Sequence, residues 1–138
     1  MLIRSLLASA FLSLSLPLMA QSADHISVVQ TLPVFENCAH IQGDQNEQQV
    51  CFNRFVMNHL MNELQWPEGL KENGKVFVEL KFDATGHLAE VKCLRSYDDL
   101  AKEEAVRAIR TLPDPIRPGT VAGEAAPVSM VVPVMFTR

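Results

Sequence analysis

The stretch KVFVELKFD, Lys75 to Asp83, decides the fold, because Val76, Val78, Leu80 and Phe82 alternate there with Phe77, Glu79, Lys81 and Asp83. A period of two gives one buried and one largely solvated face, the signature of a strand in an antiparallel sheet. Directly after it, Asp83-Ala84-Thr85-Gly86 reads as a type I turn with glycine at the left-handed position. Leu88 to Arg95 then returns as the partner strand. Its Glu90 and Lys92 are expected outward, and Ala89, Val91 and Cys93 on the core side. Cys93 reads as a small buried residue, with an intermolecular disulfide as the alternative. His87, beside the turn, reads as solvated.

Outward from this hairpin the chain supplies what the sheet needs to bury one face. On the C-terminal side, Ala101, Ala105, Ala108, Ile109 and Leu112 make an apolar stripe over Leu100 to Leu112. Candidate N-caps lie between Ser96 and Asp99, and acids early and arginines late match the helix dipole. Pro113, Pro115 and Pro118-Gly119 end that helix. Pro127 to Thr137 alternates again at Val128, Met130, Val132, Val134 and Phe136. Pro133 cannot donate to a ladder, so this last strand is expected at a sheet edge, where another chain can add itself. On the N-terminal side, Phe52, Phe55, Val56, Leu60 and Leu64 define an amphipathic helix over Val50 to Leu64, stopped by Trp66-Pro67. Glu68 to Gly74 is a linker. The expectation is an α+β domain: a small antiparallel sheet of about three strands packed against a helix, with a further N-terminal amphipathic helix.

The first twenty residues stand apart. Arg4 followed by the apolar run Ser5 to Met19 and the small Ala20 has signal-peptide grammar, so 1–20 is expected to be a leader cleaved near Ala20, 21–37 an extended arm and 38–138 the domain. The rival is an uncleaved inner-membrane anchor, for which the run is short and holds Pro17. Export would place the protein in an oxidising compartment, expected to be the periplasm, where thiols can pair. Cys38 and Cys51 enclose a polar, Gln-rich segment and are expected to form a disulfide, worth ~3 kcal/mol in the chain-entropy model. A metal reading of Cys38, His40 and Cys51 has three ligands where structural zinc takes four.

The balance of 12 basic against 16 acidic residues, with no clustered basic face, argues against a nucleic-acid partner, and none is expected. No phosphate loop, nucleophile elbow, paired histidines or Cys-x-x-Cys occurs. The adjacent pairs Asp98-Asp99 and Glu103-Glu104 sit where helix caps and dipole partners sit. No enzyme activity, cofactor or metal is expected.

Taken in order, Trp66-Pro67, GKVFVELKFDATGHLAEVKCLRS (Gly74 to Ser96), the helix through Leu112, the proline-rich crossing to Pro118-Gly119 and the terminal PVSMVVPVMF resemble the C-terminal domain of TonB. Cys38 with Cys51-Phe52 and its helix look like the extended form in TonB-like chains of Bacteroidetes type. The resemblance spans residues 33–138. It implies a protein-binding module of TonB-dependent transport, whose partners are TonB-dependent outer-membrane receptors or other envelope proteins. A receptor peptide would add beside the last strand, assigning partner contact to Val128, Met130, Val132, Val134 and Phe136. The family's aromatic-proline motif, preceded by Gln, corresponds to Gln65, Trp66 and Pro67, with Trp in place of Tyr. Trp66 reads equally as a cap over the sheet end. The connector before Lys75 is about two residues shorter than the family pattern by alignment of its motifs, and Pro115-Ile116 stands where the family has an aromatic. The arm Gln21 to Asn37 reaches at most roughly 60 Å at ~3.5 Å per residue, so the module is expected to modulate a transducer, not to span two membranes. A structural homodimer through the same edge is the alternative.

Overall fold

The computed structural model describes residues 29–138; the expected leader, and the arm up to residue 28, lie outside them. The elements run β1 (Gln30–Thr31), α1 (Gln45–Glu63), β2 (Gly74–Phe82), β3 (Leu88–Arg95), α2 (Asp99–Arg110), β4 (Thr120–Val121), β5 (Glu124–Ala125) and β6 (Val128–Phe136). A 3-10 turn, Glu36–Cys38, precedes α1. The fold is α+β. The main sheet has the order β3-β2-β6, antiparallel throughout, and a small sheet β1-β4-β5 lies beside it.

The β2 alternation is realised along its length, with Val76, Val78, Leu80 and Phe82 buried beneath the helices. Val128, Val132, Val134 and Phe136 of β6 join them, as do Phe52, Val56 and Leu60 of α1 and Phe35 from the N-terminal segment. From α2 come Ala101, Ala105, Ala108 and Ile109. The alanines let this helix sit close to the sheet, and removing a large side chain such as Phe82 from water contributes about 1.5–3 kcal/mol. The β2–β3 turn forms as expected: Gly86 has φ 96°, and Asp83 accepts from the Thr85 and His87 amides at 2.9 and 3.1 Å.

Four local expectations are corrected. Helix α1 starts at Gln45, not Val50, because Asp44 caps it by accepting from the Asn46 and Glu47 amides; half of the segment between the cysteines is therefore helical. Helix α2 runs from Asp99 to Arg110 and so stops short of Leu112; Asp98 is its cap. Strand β3 is interrupted twice: Phe82 pairs Leu88 while Lys81 pairs Glu90, and Val78 pairs Cys93 while Phe77 pairs Arg95. Ala89 and Leu94 are thus bulged residues, so Leu88 takes the core position expected of Ala89, which is exposed. Cys93 packs against the core but is only partly buried.

The disulfide Cys38–Cys51 is present, with Cα atoms 6.0 Å apart. It ties the 3-10 turn to α1, where Phe35 stacks on Phe55 with centroids at 4.3 Å. This segment is held to the far side of the chain by Val34, whose amide donates to the Arg117 carbonyl at 3.0 Å.

Candidate functional site

Strand β6 borders the main sheet, and its nine residues pair with β2 in continuous register from Val128 opposite Phe82 to Phe136 opposite Gly74. Which main-chain groups face out follows from the alternation of an antiparallel ladder. The Asp83 amide donates to the His87 carbonyl at 2.9 Å, so the odd-numbered residues of β2 direct their backbone groups toward β3 and the even-numbered ones toward β6. Val128, Met130, Val132, Val134 and Phe136, opposite the even set, therefore bond inward. Ser129, Val131, Pro133 and Met135 direct theirs to the free side. Two further observations agree. The Gln30 side-chain amide reaches the Ser129 carbonyl at 3.0 Å, and Pro133, which has no N–H, stands opposite Phe77 without a break in register.

The side chains divide by the same parity. Val128, Val132, Val134 and Phe136 are buried and Met130 is half-buried, whereas Val131 and Met135 are 45% and 47% exposed. The residues assigned to partner contact from the resemblance thus hold the strand in the core. Among the described residues, β6 leaves unpaired the N–H of Val131 and Met135 and the carbonyls of Val131, Pro133 and Met135, with the exposed side chains between them. The outward set has a signal in the sequence: a proline inside a paired strand belongs at an outward position, which makes the odd residues the outward set.

Trp66 is brought to one end of this edge. Its ring meets Phe136 edge-on with centroids at 6.4 Å, its Nε1 donates to the Leu70 carbonyl at 2.9 Å, and the Arg138 guanidinium lies 4.7 Å from its ring centre. Trp66 is half-buried and caps the sheet end. Gln65 is exposed, and its amide is held by the Glu104 carboxylate at 3.0 Å; Pro67 is half-buried. Hydrogen bonding from Arg107 holds the Glu104 carboxyl below its ordinary range against the opposing effect of burial, and Arg107 also donates to the Glu63 carbonyl at 2.8 Å. Gln65, Trp66 and Pro67 therefore adjoin the Phe136 end of β6, while Val128 lies about 26 Å away at 3.3 Å per residue.

One member of each acidic pair has structural partners. Asp98 accepts from the Leu100 and Ala101 amides at 2.7 and 3.3 Å, and Glu104 serves Arg107 and Gln65. His87 meets Asp114 at 3.2 Å on the surface, and that contact raises its pKa. Cys38 and Cys51 spend their sulfurs on each other.

The arrangement defines an α+β domain with an open-sided antiparallel sheet and a tryptophan at one end of the open side. No family model, no curated protein and no solved structure matches this chain. Among the described residues, no helix is long and apolar enough to cross a membrane.

Proposed function

We propose that this chain is a periplasmic protein-binding module that accepts an extended segment of a partner as an added strand along β6. The single observation that carries the reading is the outer side of β6, which pairs with no strand among the described residues and has outward amides at Val131 and Met135. Main-chain bonding would supply affinity and alternate side chains specificity. The resemblance to the TonB C-terminal domain supplies the partner class: TonB-dependent outer-membrane receptors, or other envelope proteins that present an extended peptide. On this reading the protein is not an enzyme, needs no cofactor, and modulates or competes with a full-length transducer.

Titration of the labelled protein with peptides from the periplasm-facing N-termini of such receptors tests it by NMR. Shifts are expected at Val131, Pro133, Met135 and Trp66. Val131→Pro removes an outward amide and leaves the inner ladder intact, so it should weaken binding at least tenfold in a folded protein; undiminished binding would contradict strand addition.

A second reading, self-association through the same edge, is favoured by the exposed Val131 and Met135. Sedimentation across a concentration series separates the two: a mass that doubles on concentration, and reverts in Val131→Pro, supports the homodimer.

A further inference from the structure

The Leu94 bulge has a chemical consequence on the other face of the sheet. Without it, Leu94 would stand opposite Phe77 and Arg95 would point to the core side; with it, Arg95 takes the place opposite Phe77. The guanidinium is thereby delivered to a pocket of about 450 Å³ lined by Lys75, Phe77, Arg95, Ser96 and Tyr97. The Tyr97 wall is fixed. Its hydroxyl donates to the Glu72 carbonyl at 2.8 Å, and its ring covers Gly74 so closely that a Cβ there would lie 2.5 Å from ring carbons. Phe77 is held between Pro133 and Arg95 in the ladder. Both cations are unspent: among the described residues, carboxylates lie within 4.0 Å of Lys81, His87 and Arg107 and of neither Lys75 nor Arg95. The nearest acid along β2, Glu79, is taken by Lys81 at 3.5 Å. Glu72 and Asp98 lie near enough to the Tyr97 hydroxyl to act on it, but neither reaches Lys75 or Arg95, so two unpaired cations stand beside two aromatic rings.

We propose that this pocket binds a small organic acid, a carboxylate carried on a flat apolar body. The rings would take the body, and Lys75 and Arg95 the carboxylate, the arginine as a two-pronged donor. The volume falls in the range of small-molecule sites, and the pocket is independent of strand addition at the free side of β6.

The probe is sodium benzoate, followed by NMR of the labelled protein, with benzyl alcohol as the uncharged ring and acetate as the bare carboxylate. Saturable millimolar binding of benzoate is expected, with shifts at Phe77, Arg95 and Tyr97, and responses at least tenfold weaker to either control. Lys75 and Arg95 are exposed, so Lys75→Gln with Arg95→Gln should fold normally and lose benzoate binding at least tenfold. Equal affinity for benzyl alcohol, or retention of benzoate by the double variant, would overturn the site. A peptide ending in Phe with a free carboxylate is the last arm; if it binds at least tenfold more tightly than benzoate, the ligand is a chain terminus and the free-acid assignment falls.

Discussion

Strand β3 closes one side of the main sheet with bulges at Ala89 and Leu94 and carries Glu90 and Lys92 outward, whereas β6 closes the other with nine unbroken, uncharged residues. Bulges and charged side chains are the usual devices that keep a sheet border from pairing with a stranger. This molecule uses both on β3. On β6 it uses only Pro133, which removes one donor of the outward row and leaves its carbonyl. The contrast teaches that protection has been placed selectively, and that the sparing of β6 is the physical basis for assigning it a partner.

The largest expected effect breaks the comparison at its root. Val132 is buried and bonds inward to β2, so Val132→Pro removes a ladder bond and core packing and should cost about 3 kcal/mol or more. Val131→Pro, one residue away, should cost under ~1 kcal/mol, because its amide has no partner among the described residues. Denaturant unfolding of the two variants measures the difference; equal costs would mean that the outward set is the even-numbered one. Val131→Lys sharpens the same contrast by giving β6 the charge that β3 has. It should leave stability within ~0.5 kcal/mol while abolishing both peptide capture and self-association.

Trp66→Ala comes next. The ring covers Phe136, bonds Leu70 and receives Arg138, and loss of a half-buried indole with these partners should destabilise by about 2 kcal/mol. Thermal unfolding gives that cost. If Trp66 also touches the partner, Val131→Pro and Trp66→Ala will each weaken peptide binding; a Trp66→Ala protein that binds normally assigns the residue to the sheet end alone.

A smaller effect lies in Glu104, which anchors Gln65 beside that end. Replacing it with Gln should cost about 1 kcal/mol at neutral pH, the worth of a hydrogen bond to a charged group with part of its geometry kept. Its folded pKa lies below the ordinary 4.5, so its contribution is full above that value and is lost as pH falls through the depressed one. The gap between the native protein and Glu104→Gln should therefore narrow below pH 4.5; a gap independent of pH would remove the Arg107 pair as its cause.

Which features could be read beforehand follows from what one chain segment can encode. The alternation of β2 and β6 and the stripe of α2 each repeat over nine residues or more, and the main sheet with its helices was legible from them. The bulges were not, because Ala89 and Leu94 become supernumerary only against β2. The first turn of α1 carries no apolar residue to mark a period; Asp44, a good cap, was its one signal. The small sheet is built from pairs of two residues, and Thr31 meets Thr120 across 89 positions, so no local pattern encodes it. The free side of β6 was legible from Pro133, whose parity groups Ser129, Val131 and Met135 with it; the contact assignment to Val128, Met130, Val132, Val134 and Phe136 came from the resemblance and did not use that parity.

The smallest effect sits in that small sheet, which fixes where the open side of β6 begins, since Gln30 of β1 bonds Ser129 and β5 leads into β6. The β4–β5 hairpin turns through Ala122 and Gly123 with φ of 52° and 84°. Two positive φ values in a two-residue loop make the mirror-image turn that fits strand twist, and it prefers Asn-Gly or Gly-Gly. Ala122 meets this with a Cβ crowding its carbonyl. Ala122→Asn keeps the Cβ but adds a short polar side chain that hydrogen-bonds locally in the left-handed region, and should stabilise by about 0.5–1 kcal/mol; Gly removes the crowding atom but gives less because it also frees the unfolded chain. Since the substitution tightens the frame of β6 without touching its outward groups, peptide affinity should not change. A gain in stability accompanied by tighter binding would mean that the small sheet frays in the free protein and that ordering it is part of what a partner must do.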